Sequence, residues 1–431
     1  MGHSFVIKGH ICQTTNPKAL DLHENAYAVC VDGISKGVFD ALPQEYASLP
    51  LYDYGDVLIF PGMVDLHIHA PQYAFRGMCM DLELMDWLNQ YTFPEEEKYE
   101  DLAYAEKAYG MFVDALKHSA TTRACIFATR HRYATELLME QMEESGLVSY
   151  VGKVNMDREA SPALVEESAE HSAYATFDWI NAVKDKFANT KPILTPRFIP
   201  CCTDELMEQL RQIQMTYGIP VQSHLSESKG EIDFVKRLRP NDPFYGASYN
   251  EYDLFGKNDD IGTDVKTVMA HCVWSTDEEV ALMKQNGVFV AHCPASNMNL
   301  SSGIAPIRKY LDLGLNIGLG SDVAGGHSIS IFRAITDAIQ VSKLYCCMVN
   351  SDSTPLVFSE AFYLATKGGG AFFGNVGSLE AGYAFDAVVL DDSVLPHPQH
   401  LNLAQRMERA VYLGLDTNGL ISKFAGGRKI L

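Results

Sequence analysis

No stretch of the 431-residue chain approaches the roughly 20 consecutive apolar residues that a membrane-spanning helix needs. The opening stretch MGHSFVIKGHICQTTNPKAL has neither a charged leader nor a long apolar core, so no signal peptide is expected. Positive charge is scarce as well: 34 Lys and Arg face 55 Asp and Glu, a formal net charge of −21 at pH 7. Phosphate backbones and anionic lipid surfaces both select basic proteins, so neither nucleic acid nor a membrane is expected as a partner. A small neutral ligand in a pocket stays open. No C-x-x-C occurs among the 10 cysteines, and neighbours such as Cys201-Cys202 and Cys346-Cys347 rarely bridge each other. Reduced, mostly buried thiols in a cytoplasmic protein are the expectation. Repeats, low-complexity blocks and flexible linkers are also missing.

What is present is an ordinary globular composition, 47% hydrophobic and 21% charged, in a chain long enough for one large core or two moderate ones. Eight β-rich apolar runs recur, each ending in polar residues: 63–70, 121–130, 148–157, 193–200, 219–228, 265–274, 287–296 and 315–326. Helical patterns such as TDELMEQLRQIQMTYG and TDEEVALMKQNG separate most of them, opening on Thr-Asp and closing at Gly. Glu279, three residues after Thr276, has the spacing of a capping box. Eight continuously apolar strands alternating with helices predict an α/β protein, a (β/α)₈ barrel of the TIM type over residues 61–380. Hairpin signals at Asp32-Gly33 and Asn418-Gly419 lie in the flanks, so residues 1–60 and 381–431 are expected to pair into one small composite β domain. Two long excursions, 71–120 and 229–264, are rich in aromatics and are candidates for walls or a lid.

In such a barrel the active site lies at the C-terminal ends of the strands. Those ends carry His67, His69, Arg130, Asn155, Asp157, Arg197, His224, His271, His292 and Asp322. His67 and His69 share one face of a strand, with Ile68 on the other, and form a natural pincer for a metal ion. With His224 and Asp322 they make three imidazoles and a carboxylate, a set that suits Zn²⁺ or Fe²⁺ better than Mg²⁺ or Ca²⁺. Neutral histidines and one carboxylate leave a divalent ion at net +1, which favours ionised water and can bring its pKa from ~15.7 to roughly 7. Glu227, three residues after His224, is placed to shuttle a proton between that water and a substrate. His271 could hydrogen-bond the water or polarise the substrate, with a role as a fourth-histidine ligand the weaker option, and His292 reads as structural or as a support behind the metal ligands.

The order HIHA…SHLSE…MAHC…AHCPASN…GSDVAGG resembles the metal-dependent amidohydrolase superfamily over essentially the whole chain. FPGMVDLHIHAPQY, YTFP, TPRF and SDVAGG look like its guanine-deaminating branch. The resemblance implies one Zn²⁺ per chain, with Fe²⁺ an acceptable substitute, held by His67, His69, His224 and Asp322. It implies a homodimer that hydrolyses guanine to xanthine and ammonia. It assigns substrate contacts to Gln72, Arg197 and the Phe198 backbone, proton transfer to Glu227 and Asp322, and a place beside the metal water to His271. The implied chemistry is attack of metal hydroxide on guanine C2, protonation of N3 by Glu227, and expulsion of ammonia.

Parts of this can be checked against the residues. Binuclear members carry a carboxylated Lys at the end of strand four, whereas ILTPRFIP has Arg197 and no terminal Lys; Lys153 lies on strand three, where packing or snorkelling is expected. Cytidine-deaminase-type enzymes need P-C-x-x-C, which PCCTDE is not. Arg197 can only donate, which suits guanine O6 and would leave it unpaired against an adenine amino group. A mismatch of that kind is worth something like 10⁴-fold. Leu66 and Cys201 depart from the family form, where Thr and a hydroxyl residue are usual. Competing expectations are a deaminase of another aminated heterocycle (pterin, triazine or adenosine-like), amide or ring hydrolysis, and a non-catalytic barrel.

Overall fold

The computed structural model describes residues 4–257, 265–416 and 418–431. Both ends of the chain meet in one seven-stranded sheet, in the order Arg428–Lys429, Leu420–Ala425, Ala387–Leu390, Leu51–Pro61, Phe5–Asn16, Ala19–Val31, Ile34–Phe39. The joint between the ends is the antiparallel pairing of Ala387–Leu390 with the end of Leu51–Pro61, Ala387 opposite Pro61 and Leu390 opposite Leu58. Side chains alternate across this sheet as strand geometry requires. Val57 and Ile59 enter a small core with Phe5, Ile7, Val389 and Phe424, while Leu58 and Phe60 enter the main core. The Asp32-Gly33 turn forms as expected, with both residues at positive φ (52° and 81°). Asn418-Gly419 is not a hairpin. The residues before it form the helix Leu403–Tyr412, started by a capping box between Asn402 and Gln405, and the terminal hairpin instead turns at Gly426-Gly427.

Between these flanks the chain alternates parallel strands and helices. Met63–His69, Thr121–Phe127, Val148–Gly152 and Thr190–Pro192 make one parallel sheet; Val221–Leu225, Thr267–His271, Phe289–His292 and Asn316–Leu319 make another. Val154–Asn155 pairs with Thr195–Pro196, and a parallel bridge from Leu194 to Val221 links the two sheets. At the opposite seam Asp322 N–H donates to His67 O (2.9 Å) and His69 N–H to Val323 O (3.2 Å). The third and fourth strands are each split and shorter than expected; Pro192, Pro196 and Pro200 lack the N–H a ladder needs, and Ile199–Cys201 turns as a 3₁₀ helix. A helix follows every strand position, among them Asp204–Tyr217, capped by Thr203 and closed by Gly218 at φ 61°. Thr276 likewise caps Asp277–Gln285, but Glu279 does not complete the box: its carboxylate accepts from Gly246 N–H (2.6 Å) and Ser226 Oγ (2.8 Å).

Buried polar groups fasten the two parts together. Arg123 donates twice to Asp386 (2.5 and 3.2 Å), and Lys423 Nζ, which burial holds well below the usual lysine range, lies 2.7–3.1 Å from the carbonyls of Leu116, Ser119 and Thr121. Lys153 does not snorkel: it is buried, 2.6 Å from Glu166 Oε1.

Candidate active site

The strand Met63–His69 is buried along its whole length, yet it does not keep one face toward the interior. Val64 and Leu66 pack with Cys125, Val268 and Ala291 from other strands and with Ile193, and the pairing register then slips between Asp65 and Ile68. Beyond the slip, His67 and His69 take over the inward face, the kind of re-aiming that a bulge provides at a functional rim. Buried Asp65 supports this change. Its Oδ1 accepts from His67 N–H and Ser321 N–H, both at 3.1 Å, and its Oδ2 accepts from Ser321 Oγ at 2.5 Å. One carboxylate thus ties the His-x-His strand to the loop that bears Asp322. Gly320 lets that loop lie close, since a Cβ there would sit 2.7 Å from Cys293 Sγ and 3.0 Å from His67 Cβ. Asp322 and His271 adopt left-handed φ (47° and 74°), at a cost of roughly 1–2 kcal/mol each for a non-glycine residue.

The imidazoles converge on one point. His67 Nε2 lies 3.2 Å from His69 Nε2, which lies 3.3 Å from His224 Nε2. Asp322 Oδ1 is 3.1 Å from His67 Nε2 and 3.5 Å from His69 Nε2. His224 Nδ1 is 2.7 Å from the Arg197 carbonyl, which can only accept; the ring proton therefore sits on Nδ1 and the Nε2 lone pair faces the cluster. Burial holds His69 and His224 well below the usual imidazole range, which keeps them neutral. Asp322 is held well below the usual carboxylate range: burial opposes its ionisation, but His67, His271 and His69 outweigh it. Neutral nitrogen lone pairs and a carboxylate oxygen turned toward one another at this spacing form a group that could hold a metal ion. His67, His69 and His224 meet that geometry, and so do His67, His271 and Asp322.

Beside this cluster, Glu227 and His271 form a proton-sharing pair, Oε2 to Nε2 at 3.3 Å. Burial pushes the Glu227 carboxyl up to about 7, although His271 pulls the other way. His271 is raised as well: burial works against its charge, but Glu227 and Asp322 prevail. A pair of this kind titrates as a unit around one proton. Ser302 Oγ donates to Glu227 Oε1 (3.0 Å), and His271 Nδ1 meets Asn297 Oδ1 (2.9 Å).

A cavity opens over these groups. Its lining includes His69, His224, Glu227, His271 and Asp322 on one side, Gln72, Arg197 and Phe198 on another, and Leu84, Trp87, Leu88 and Leu300 as apolar walls. His67 lies just behind, against His69 and Asp322. The structure therefore gathers all nine of the residues expected from the sequence. Arg130, Asn155, Asp157 and His292 do not line it. Asn155 is bound to Ser172 and Thr176, Asp157 to Thr203, and both ring nitrogens of buried His292 lack a partner among the described residues. Cys201 is buried against Glu159 O, off the cavity. Of the two excursions, the first supplies the apolar wall through Leu84, Trp87 and Leu88; residues 258–264 of the second lie outside the described residues.

Sequence reading missed Asp65, Glu96, Asn297 and Ser302. Asp65 left a signal, a carboxylate in an otherwise apolar strand, which must be hydrogen-bonded if buried. Glu96 left none, because PEEE reads as a solvated charge run.

Comparison with known proteins agrees with this geometry. The model of the amidohydrolase family matches residues 58–423. The chain is 40% identical to guanine deaminase of Dictyostelium discoideum over 386 residues, 88% of this chain and 83% of that protein. It is 36% identical to guanine deaminase of Homo sapiens, over 86% of this chain and 82% of the other. A crystal structure of guanine deaminase from C. acetobutylicum with guanine bound in the active site superposes with a TM-score of 0.95 at 44% identity, covering 99% of this chain and 100% of that one.

Proposed function

From a chain that belongs to the amidohydrolase family, and to its guanine deaminases, we propose an enzyme that hydrolyses guanine to xanthine and ammonia in the cavity above the four histidines. The observation that carries the reading is the cavity itself, which sets a nitrogen-rich metal donor set and a proton-sharing Glu227–His271 pair opposite Arg197 and Gln72. His67, His69, His224 and Asp322 would hold one ion per chain, Zn²⁺ for preference, with Fe²⁺ accepted by the same donors. Such an ion, when bound, makes water acidic enough to supply a nucleophile near neutral pH.

The chain's own residues supply the rest. Arg197 donates to guanine O6 and Gln72 meets the purine edge, with Phe198 against the ring, so that C2 faces the histidine cluster. Glu227 takes a water proton and delivers it to N3, which lets the ring accept the electron pair displaced as oxygen bonds to C2. Its raised affinity for a proton suits both halves of that transfer. Asp322 and Glu227 then pass the remaining proton to the amino nitrogen, the C2–N bond breaks, and ammonia leaves. His271 holds Glu227 in place throughout, and Leu84, Trp87, Leu88 and Leu300 keep bulk water from the ring.

We read the two parallel sheets and their linking contacts as one (β/α)₈ barrel spanning 61–380, with 1–60 and 381–431 as the composite β domain. A cytoplasmic homodimer completes the proposal; ten cysteines without a disulfide accord with the first, and the resemblance alone supports the second. Turnover of a panel holding guanine, adenine, a pterin and an aminotriazine tests the substrate assignment. Preference for guanine by several orders of magnitude is expected, and equal or better turnover of another member refutes it.

A further inference from the structure

A carboxylate without an assigned role stands behind the cavity. Glu96, on the short helix Phe93–Glu97, is fully buried and does not line the pocket. Its Oε2 accepts from Arg197 Nη1 at 2.6 Å, and its Oε1 accepts from Arg197 Nη2 at 3.1 Å and from Gln72 Nε2 at 3.0 Å. Gln72 Oε1 in turn accepts the Ala324 N–H at 3.1 Å. Both residues that face the purine edge are thus held from the rear by one side chain.

Two consequences follow from donor and acceptor chemistry. An ionised carboxylate only accepts, so it must meet the amino end of Gln72, which settles which way that amide points. Arg197 gives two of its five N–H donors to Glu96 and keeps the rest for other partners, Met156 Sδ at 3.8 Å among them. The second consequence is electrostatic. A lone guanidinium in a buried cavity attracts anions strongly, because little water screens it. Paired with Glu96, it presents donors at a summed charge of zero.

We propose that Glu96 is a positioning and specificity-determining residue: it orients Arg197 and Gln72 as a charge-neutral donor array and so makes the pocket select a neutral heterocycle over an anionic one. The inference rests on the guanine-hydrolysing reading of the same cavity. It goes beyond that reading by naming the residue that excludes anionic purines.

The test uses the metal-loaded full-length enzyme with guanine as substrate and two purines that carry no amino group at C2, neutral hypoxanthine and anionic urate, as inhibitors. Glu96→Gln keeps the shape and removes the charge. It is expected to raise KM for guanine about tenfold, leave kcat within about threefold, and shift the urate-to-hypoxanthine inhibition ratio about tenfold toward urate. Glu96→Asp keeps the charge on a shorter arm, and should raise KM while leaving the ratio near that of the wild type. A purely structural role would lower stability without moving the ratio, so an unchanged ratio in a folded Glu96→Gln enzyme overturns the proposal. Should Glu96→Gln not fold, Arg197→Gln removes the cation beside Glu96, whose charge then keeps only the hydrogen bond from Gln72, and must move the ratio the opposite way, against urate; no movement overturns the proposal. If wild-type enzyme leaves guanine unchanged, the substrate reading fails by itself, and calorimetric binding of the same two purines to the same variants still decides the role of Glu96.

Discussion

Replacing Asp65 by Ala isolates the tie between the two halves of the metal-ion donor set. The Asp65 side chain accepts hydrogen bonds from His67 N–H, Ser321 N–H and Ser321 Oγ, all buried. Alanine removes the acceptor and leaves two backbone N–H groups and a hydroxyl in the interior with nothing to donate to. At ~1–3 kcal/mol for each stranded donor, partly relieved by relaxation, the loss is about 3–6 kcal/mol. Asparagine behaves differently. Its Oδ1 still accepts both N–H groups and its amide can donate to Ser321 Oγ, so a loss of about 1 kcal/mol is expected. Because the same hydrogen bonds set the separation of His67 from Asp322, Ala should also weaken metal retention about 10- to 100-fold. Denaturant unfolding of the wild type and both variants gives the first quantity, and competition with a graded chelator gives the second. An Ala variant that matches Asn in stability and keeps its metal like the wild type would refute the argument.

Other consequences can be checked in parallel. Glu227→Gln should lower kcat by ~10²–10⁴ while retaining guanine binding, measured by steady-state kinetics and calorimetry. Burial lifts the Glu227 carboxyl from 4.5 to about 7. Between those pH values the metal-free native protein therefore keeps a proton that the unfolded chain has released, and its stability falls as pH rises. At about 1.4 kcal/mol per pH unit, the change across that window is about 3 kcal/mol. Glu227→Gln should lack it, so denaturant midpoints of both proteins at pH 5 and pH 8 compare directly, and parallel pH dependences would count against the shift. Arg123→Met strands Asp386 at the joint between the β sheet and the parallel unit and should cost about 3–5 kcal/mol by denaturant unfolding, with the activity of the folded fraction intact. Exhaustive chelation should abolish turnover and Zn²⁺ should restore it; full activity without metal would remove the donor set from the chemistry.

How much of this was legible beforehand depends on the range of the interaction. His-x-His, SHLSE and SDVAGG are short motifs whose chemistry is written in residue type, and the eight apolar runs place them at matching strand ends. Asp32-Gly33 turns as expected because its positive-φ pair satisfies a hairpin locally. Asn418-Gly419 misleads, because the amphipathic stretch before it, capped by Asn402, prefers a helix. Glu279 and Lys153 show the same limit: a capping partner and a snorkelling lysine are local expectations, and both side chains are taken by distant partners, Gly246 and Ser226 for one and Glu166 for the other. Glu96 was illegible for that reason too. Its partners Arg197 and Gln72 lie 101 and 24 residues away, and nothing in PEEE separates the carboxylate that meets them from its neighbours.

The central claim is that this cavity deaminates guanine with a metal ion held by His67, His69, His224 and Asp322. The most direct measurement incubates the metal-analysed protein with guanine and follows xanthine and ammonia together. Equal release of both by a protein holding one metal per chain, lost on chelation, is the predicted result. Guanine left intact by a fully metal-loaded protein would contradict the claim.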